Sequence, residues 1–299
     1  MFLFGGGAQS APPPIAFSTL PTRDEALAAI NANAQRIKSL QTQGATISIP
    51  GVPAIGAEIA LQRPNLLRFR AGTNLLGPEL DLGSNEEVFW FWAARAPQSA
   101  VYYARHEQFA TSPARQMLAI EPAWLIEALG VVEIDPATIT EGPLAADGDR
   151  VQLRTTLATA GGQYSRLLIF DKKYAWVLEQ HVYDEQGQLL ASSRTSQHEY
   201  QQLDGVSLPR RIEVQIPQGQ LRFQLDVARW AINQPAVEGQ SLYALPREQL
   251  SNYPFVDLAD PNFIPPGQSV PVTQPAAPRV SQVPQDDYRQ RIRGMTQWR

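Results

Sequence analysis

The sequence predicts a mainly β protein with a few helices (α+β), built on an antiparallel sheet of about eleven strands. From Gly44 onward, apolar residues recur with a period of two over most of the chain, as in strands whose successive side chains point to opposite faces. Short turn sequences containing Gly, Asp or Pro separate these runs. This is too many strands for a flat open sheet, so the sheet has to curl.

Composition excludes several classes of function. The 299-residue chain is 43% hydrophobic, enough for a large core, and its net charge of -4 makes nucleic acid an unexpected partner. It has no cysteine, which excludes disulfides and cysteine zinc sites. Its histidines, His106, His181 and His198, lack the spacing of a metal-ligand pair. We therefore expect no metal.

The first elements are a tether and a helix. Residues 1–21 are rich in glycine and proline, which predicts a flexible N-terminal tether. Residues 22–43 read as a helix, because Thr22 and Glu25 form a capping box and apolar residues fall on one face. Gly44 suits its end.

Strand candidates follow in two groups, separated by a helical stretch over residues 112–130. The first group comprises 45–51, 57–64, 66–72, 79–83, 87–93 and 100–106, and the second comprises 150–157, 165–170, 174–183, 189–200, 207–216 and 221–232. In the helical stretch, Trp124 and Leu125 belong to an apolar stripe. This stripe either packs against the sheet as ordinary core or covers something that the sheet leaves open.

The C-terminal part has a different composition. Residues 246–299 are predicted to form a proline-rich, largely disordered extension, since a proline-rich polar segment cannot build a packed core. Its last residues, 286–299, regain apolar and basic side chains. They are either a frayed terminus or a short docking segment for an anionic membrane surface or a partner groove.

Catalytic motifs are missing from the sequence. There is no G-x-S-x-G elbow, P-loop, dinucleotide-binding G-x-G-x-x-G or H-E-x-x-H. Paired carboxylates occur at predicted turns or in the tail, where solvated charge is the expected use. We therefore do not expect an enzyme; a hydrolase with residues converging from distant strands is the weakest of the alternatives.

Residues 87–93, EVFWFWA, are apolar on both faces of a strand. Trp90 and Trp92 share one face, and Phe89 and Phe91 share the other. Such a strand is either covered on both faces or contacts a ligand on one. Tryptophans suit the lining of an inward-facing cavity, and the candidates are Trp92, Trp124, Trp176 and Trp230. A filled two-layer core would account for the same residues.

Residues 56–93 contain a motif made of the positions Gly56, Arg63, Pro64, Asn65, Ser84, Asn85, Phe89 and Trp90. Through these positions the stretch resembles the LolA/LolB family of bacterial lipoprotein carriers. Residues 167–217 are similar to the paired strands that close the family's sheet, and residues 230–235 to its closing strand end. The resemblance covers about residues 22–245. It implies that these residues form one lipid-binding domain.

The resemblance implies an unclosed antiparallel β-barrel whose helices form a lid over an apolar cavity. It implies a non-enzymatic carrier or membrane-anchored acceptor, without cofactors, for the acyl chains of lipoproteins or other envelope lipids. The expected location is the periplasm, with a native form anchored by lipid at the outer membrane slightly favoured over a soluble one. The alternative is a lipid-anchored envelope scaffold or adaptor whose barrel is filled by its own side chains.

The expected ligand-binding residues are Arg63, Leu61, Ile59, Trp90, Trp92, Phe89, Phe91, Trp124, Leu125 and Trp176. By alternation, Ile59, Leu61 and Arg63 share a strand face. A charge pointing into the barrel needs a partner on a nearby helix or loop, whereas an arginine at the rim reaches water. The family resemblance implies that Arg63 holds the lid through hydrogen bonds that break when cargo enters.

Overall fold

The computed structural model describes residues 12–263 except 74, 76, 97, 110, 113, 115–121, 160–161, 220 and 237. The helices in this part are α1 (Arg23–Gln35), α2 (His106–Phe109) and α3 (Pro122–Ala128). The strands are β1 (Ser39–Thr42), β2 (Ala45–Ser48), β3 (Ile55–Gln62), β4 (Leu66–Thr73), β5 (Gly77–Ser84), β6 (Val88–Ala93), β7 (Val101–Arg105), β8 (Ile139–Ala145), β9 (Arg150–Thr159), β10 (Gly162–Asp171), β11 (Val177–Tyr183), β12 (Leu189–Gln201), β13 (Val206–Ile216), β14 (Leu221–Val227), β15 (Trp230–Ile232) and β16 (Phe255–Asp257).

The strands form one large sheet that does not close. Its order is β16-β7-β6-β5-β4-β3-β2-β14-β13-β12-β11-β10-β9-β8, with β1 paired to β3 and β15. Neighbouring strands are antiparallel, apart from the parallel pair of β16 and β7. The predicted class, a mainly β protein with an unclosed antiparallel sheet, is confirmed.

The strand number is larger than the predicted eleven. Sixteen strands lie in the described residues. Short strands such as β15 and β16 carry too few residues to show an alternating pattern, and β8 contains a Gly-Pro step that usually signals a loop.

Helix α1 begins as the sequence predicts and ends earlier. The Thr22 side chain and the Glu25 side chain complete the capping box, which satisfies otherwise free N–H groups of the first turn. The helix was expected to reach residue 43 but stops at Gln35, because β1 pairs with β3 and β15 over the next residues. Strand pairing therefore overrides a helical pattern that continues in the sequence.

The sheet has two faces, which we name by their residues. Cross-strand register aligns Ile59, Phe69, Leu82 and Phe91 on the inner face, and α1 and α3 pack over the apolar residues of this face. We call these two helices the lid. Asp81 and Trp92 are also register partners and lie on the opposite, outer face.

A C-terminal segment packs against the strands of the aromatic region. We call residues 235–263, apart from the undescribed position 237, the strap. Leu242 and Tyr243 pack on the outer face near Ala60 and Leu66, and Leu250 packs on Trp90 and Trp92. The predicted domain ended at residue 245, yet the ordered fold continues through β16, because β16 pairs with β7. The predicted extension beyond residue 263, with residues 286–299, lies outside the described residues.

The N-terminal residues that are described also contact the sheet. The Ala16 N–H donates to the Lys173 carbonyl oxygen over 2.7 Å, and Phe17 packs against the apolar cluster under α1. The part of the predicted tether from residue 12 to residue 21 therefore includes residues that pack on the fold. Residues 1–11 lie outside the described part of the chain.

Candidate functional site

The inner face is an apolar surface covered by the lid. Ile59 and Leu61 of β3 are 2% and 0% exposed. They belong to the same cluster as Trp124 of α3, and Leu125 packs against that cluster. The structure thus brings four of the predicted ligand-binding residues together, under and within α3. In the described residues their side chains are packed in one apolar cluster.

The aromatic strand β6 is covered on both faces. Phe89 lies in a cluster with Phe109 of α2 and Leu258 of the strap, and Phe91 packs against that cluster. Trp90 and Trp92 are each 1% exposed and contact Leu250 of the strap. The strap therefore reaches both faces of this strand by passing around the sheet edge at β16. This is how a strand that is apolar on both faces is buried.

The two tryptophans of β6 lie away from the inner face. The Trp90 ring sits over Gly83, where an added Cβ would come within 2.1 Å of the ring. The Trp90 Nε1–H donates to Asp81 Oδ1 over 2.9 Å, and an Arg68 guanidinium nitrogen lies 2.5 Å from Asp81 Oδ2. The structure does not bring Trp90 and Trp92 to the surface covered by the lid, and their contact with a ligand stays a prediction.

The buried pair of Arg68 and Asp81 holds the strap. Arg68 donates to the carbonyl oxygens of Leu242 and Ala244 over 3.3 and 3.0 Å. Burial raises the pKa of Asp81 against the opposing effect of Arg68, and burial also lowers the pKa of Arg68. Both side chains are more than nine-tenths buried. Sequence reasoning missed this pair, whose signal was an arginine and an aspartate inside apolar strand runs.

A groove of about 670 Å³ lies beside the strap on the outer face. Arg70 lines it and pairs with Glu58 and with Glu238 over 3.2 and 2.9 Å. Glycine and alanine residues make up much of the remaining wall. Because charged groups line it, this groove is a poorer site for an acyl chain than the inner face.

Trp176 lies apart from the other predicted residues. Its ring stacks on His198 at 4.7 Å and on Tyr174 at 4.5 Å between centroids. These rings line a pocket of about 150 Å³ together with residues of α1 and with Pro13 and Ile15. Burial lowers the pKa of His198 to about 4, so the imidazole is neutral at physiological pH. The N-terminal segment therefore borders the predicted contact at Trp176.

Arg63 directly follows β3 and contacts α1 of the lid and the segment after α3. Its guanidinium donates to the Ala34 carbonyl oxygen of α1 over 2.9 Å and to the Glu133 carboxylate, which follows α3. Hydrogen bonds from Gln35 and Arg63 lower the pKa of Glu133, against the opposing effect of partial burial. The Arg63 side chain is 25% exposed. The expected partners on a helix and a loop are therefore present, at the rim of the sheet.

A second arginine lies deeper on the inner face. Arg166 of β10 pairs with Glu127 of α3, and its Nε–H donates to Thr155 Oγ1 over 3.0 Å. Sequence reasoning missed this pair as well. Two features of the sequence could have indicated it. Arg166 shares a strand face with Leu168 and Phe170, and Glu127 lies within the apolar stripe of α3.

The described residues contain no group of three or more His, Asp or Glu side chains placed to hold a metal ion. None of their helices has the length and apolar character needed to span a bilayer. In the described residues, the site therefore offers an apolar surface, a cover of two helices and a few buried polar groups.

Comparison with known proteins gives likenesses of fold only. No protein-family model matches the chain, and no curated protein matches it. A Vibrio parahaemolyticus domain described as an outer membrane lipoprotein-sorting protein is 10% identical, with a TM-score of 0.48 over 75% of this chain and 100% of that one. The LolA superfamily protein NE2245 from Nitrosomonas europaea is 10% identical, with a TM-score of 0.47 over 75% and 98%.

A DUF1329 family protein from Desulfovibrio piger is 13% identical to this chain, with a TM-score of 0.45 over 73% of this chain and 99% of that one. Because these three TM-scores are below 0.5, we infer function from the site.

Proposed function

We propose that the chain is a non-enzymatic carrier, or a membrane-anchored acceptor, that holds the acyl chains of lipoproteins or other envelope lipids on the inner face of its sheet. The observation that supports this most is the cover of that face. Two helices, rather than a second sheet, lie over a continuous apolar surface that includes Ile59, Leu61 and Phe69. The proposed location is the periplasm, where such ligands need a water-soluble carrier.

The lid can separate from the sheet because its polar attachments are concentrated at a few points. Arg63 joins the sheet rim to the end of α1 and to Glu133, and Asn33 of α1 exchanges two hydrogen bonds with Ser207 of β13. Arg166 and Gln180 join the sheet floor to Glu127 of α3. Displacing the lid exposes apolar surface at about 25 cal/mol per Å². An acyl chain that covers the same surface offsets that cost, so a ligand of the right chemistry favours the open state.

The second candidate is a lipid-anchored envelope scaffold or adaptor. It is favoured by the filled inner face, where side chains of the described residues already occupy the space beneath α3. In this function the packing would be permanent and the lid would be part of the core. The two candidates differ in whether an apolar ligand can enter.

Binding of a neutral apolar dye tests the proposal directly. Titration of the purified chain with N-phenyl-1-naphthylamine, followed by displacement with lauric acid or dodecanol, should give saturable binding at one site. Mass spectrometry of lipids extracted from protein purified from its native envelope should find acyl lipids in stoichiometric amount. Absence of dye binding together with absence of co-purified lipid would favour the scaffold.

A further inference from the structure

Arg166 and Glu127 form an ion pair at the contact between the sheet and the lid. The Arg166 side chain is 3% exposed, and the Glu127 side chain is 24% exposed. Burial raises the pKa of Glu127, and the charge of Arg166 works against that rise. Arg166 belongs to the sheet and Glu127 to α3, so any movement that lifts α3 separates the two charges.

The sheet holds the arginine in place without help from the lid. Arg166 is the register partner of Thr155 on β9 and of Val182 on β11, and Thr155 Oγ1 accepts from its Nε–H. The guanidinium is planar and its donors have fixed directions. When α3 leaves, the donors that faced Glu127 therefore remain on the inner face, directed toward the space that the carboxylate occupied.

Further polar groups lie on the same face. Gln180 and Ser193 are register partners on β11 and β12 and are 1% and 2% exposed. Gln180 donates to the Glu127 carbonyl oxygen over 2.9 Å. Its own Oε1 and the Ser193 hydroxyl have no hydrogen-bond partner in the described part of the chain. Buried polar atoms without partners are unusual in proteins. The Ser193 hydroxyl can donate to an anionic group, whereas Gln180 Oε1 is an acceptor and cannot bind one.

We propose that Arg166 on β10, with the Ser193 hydroxyl two strands away on the same face, is a headgroup subsite for acyl ligands that carry an anionic carboxylate or phosphate, and that Glu127 occupies this subsite while the lid is closed. The inference deepens the proposed function and rests on it. The ligand's acyl chain replaces the apolar side chains of α3, and its anionic headgroup replaces the Glu127 carboxylate.

The exchange explains why a charge is tolerated on an apolar face. An uncompensated buried charge is strongly unfavourable, but Arg166 has an anionic partner both with the lid closed and with the ligand bound. A neutral lipid would open the lid and leave Arg166 unpaired. The subsite therefore selects against neutral ligands, because a ligand that leaves a buried polar group unpaired binds more weakly.

Two ligands of equal chain length test the subsite. Displacement of N-phenyl-1-naphthylamine from the full chain at pH 8 is measured with laurate and with dodecanol. We expect laurate to bind at least about tenfold more tightly than dodecanol, which corresponds to one charge-assisted hydrogen-bonded pair. Dodecyl phosphate should behave like laurate. Acetate and inorganic phosphate should not displace the dye, which separates an acyl-lipid site from an anion site.

Variants of Arg166 and Glu127 test whether this pair causes the preference for laurate over dodecanol. Arg166→Gln should reduce the ratio of laurate to dodecanol affinity to near one, and Glu127→Gln should raise laurate affinity, because the competing carboxylate is gone. The double variant R166M/E127L removes both charges and guards against misfolding of the single variants; it should bind both ligands equally. Equal binding of laurate and dodecanol by the wild type would overturn the subsite, whereas binding of neither would overturn the proposed function itself.

Discussion

The two faces of the sheet each bury an arginine–carboxylate pair, but the pairs are attached differently. On the outer face, Arg68 and Asp81 lie on neighbouring strands, and the strap accepts hydrogen bonds from Arg68. On the inner face, Arg166 lies on the sheet and Glu127 on the lid. Movement of a cover can separate the inner pair but leaves the outer pair intact.

The strap and helix α3, which cover the two faces, also differ in how they are attached to the sheet. The strap joins the sheet as a strand, since β16 pairs with β7 over three residues, and it packs on both faces of β6. Helix α3 has no strand pairing with the sheet. It is attached by apolar contacts, by the Glu127 side chain and by one hydrogen bond from Gln180 to the Glu127 carbonyl oxygen. We infer that the outer face is a fixed support and the inner face a surface that can be uncovered.

The largest expected effect on stability is at the outer face. Asp81→Ala should lower the free energy of unfolding by about 3–5 kcal/mol, because it leaves Arg68 buried without a counter-charge and removes the acceptor of the Trp90 indole. Urea denaturation measures this. The matched control is Arg95→Ala, which removes an exposed arginine paired with Glu79 and should leave the midpoint unchanged. A similar small effect for both variants would contradict the fixed-support interpretation.

The sequence was informative where a local pattern decides the structure. The alternation of residues 57–64 and 66–72 predicts strands where β3 and β4 lie, and it places Ile59 and Leu61 on one face, where both are buried. The capping box of Thr22 and Glu25 predicts where α1 begins. Both signals depend on neighbours within a few residues, which is why sequence rules capture them.

The sequence could not identify what covers each face. Alternation shows that Trp90 and Phe91 point in opposite directions, but the partners of Trp90 are Leu250 of the strap and Asp81 of β5. The pairing of Arg166 with Glu127 joins residues 39 positions apart. Such contacts depend on sheet topology and register, which a single sequence does not encode in any local pattern. Strand β16, which lies beyond the predicted boundary at residue 245, was missed for the same reason, because its pairing with β7 depends on topology.

An intermediate effect on stability is expected where α1 covers the inner face. His198 has a pKa of about 4 in the folded protein, below the unfolded value of about 6.5. The folded state therefore binds fewer protons, and the stability that the neutral ring contributes is complete above pH 6.5 and is lost as the pH falls toward 4. Relative to His198→Phe, which keeps a ring beside Trp176, the wild type should lose about 2 kcal/mol between pH 7.5 and 5.

Urea titrations of both proteins at several pH values measure this difference. The carboxylates titrate in both proteins and cancel in the comparison. Parallel stability curves for the wild type and His198→Phe would mean that this part of the inner face admits water and is already open. That outcome would weaken the contrast between a sealed inner face and an opening lid.

The smallest effect on stability is expected at Arg63. Its substitution should affect opening of the lid more directly than the other changes do. Its pair with Glu133 is partly exposed, so Arg63→Leu should change the free energy of unfolding by about 1 kcal/mol or less. The same substitution removes the bonds to both Ala34 and Glu133, which attach α1 and the segment after α3 to the sheet rim. Loss of these bonds should favour the open state and change the rates of uptake and release of an apolar ligand several-fold, with folding preserved.

Stopped-flow measurement of N-phenyl-1-naphthylamine uptake and release, beside circular dichroism, decides whether Arg63 is a latch. Arg95→Leu is the matched control, since it removes an arginine–glutamate pair that does not contact the lid. Faster kinetics in Arg63→Leu alone would show that the rim bonds control access to the inner face. If Arg63→Leu folds and exchanges ligand at the wild-type rate, Arg63 is a structural rim residue. Lid opening then depends on the deeper pair of Arg166 and Glu127, because that pair is the remaining ionic attachment between sheet and lid in the described residues.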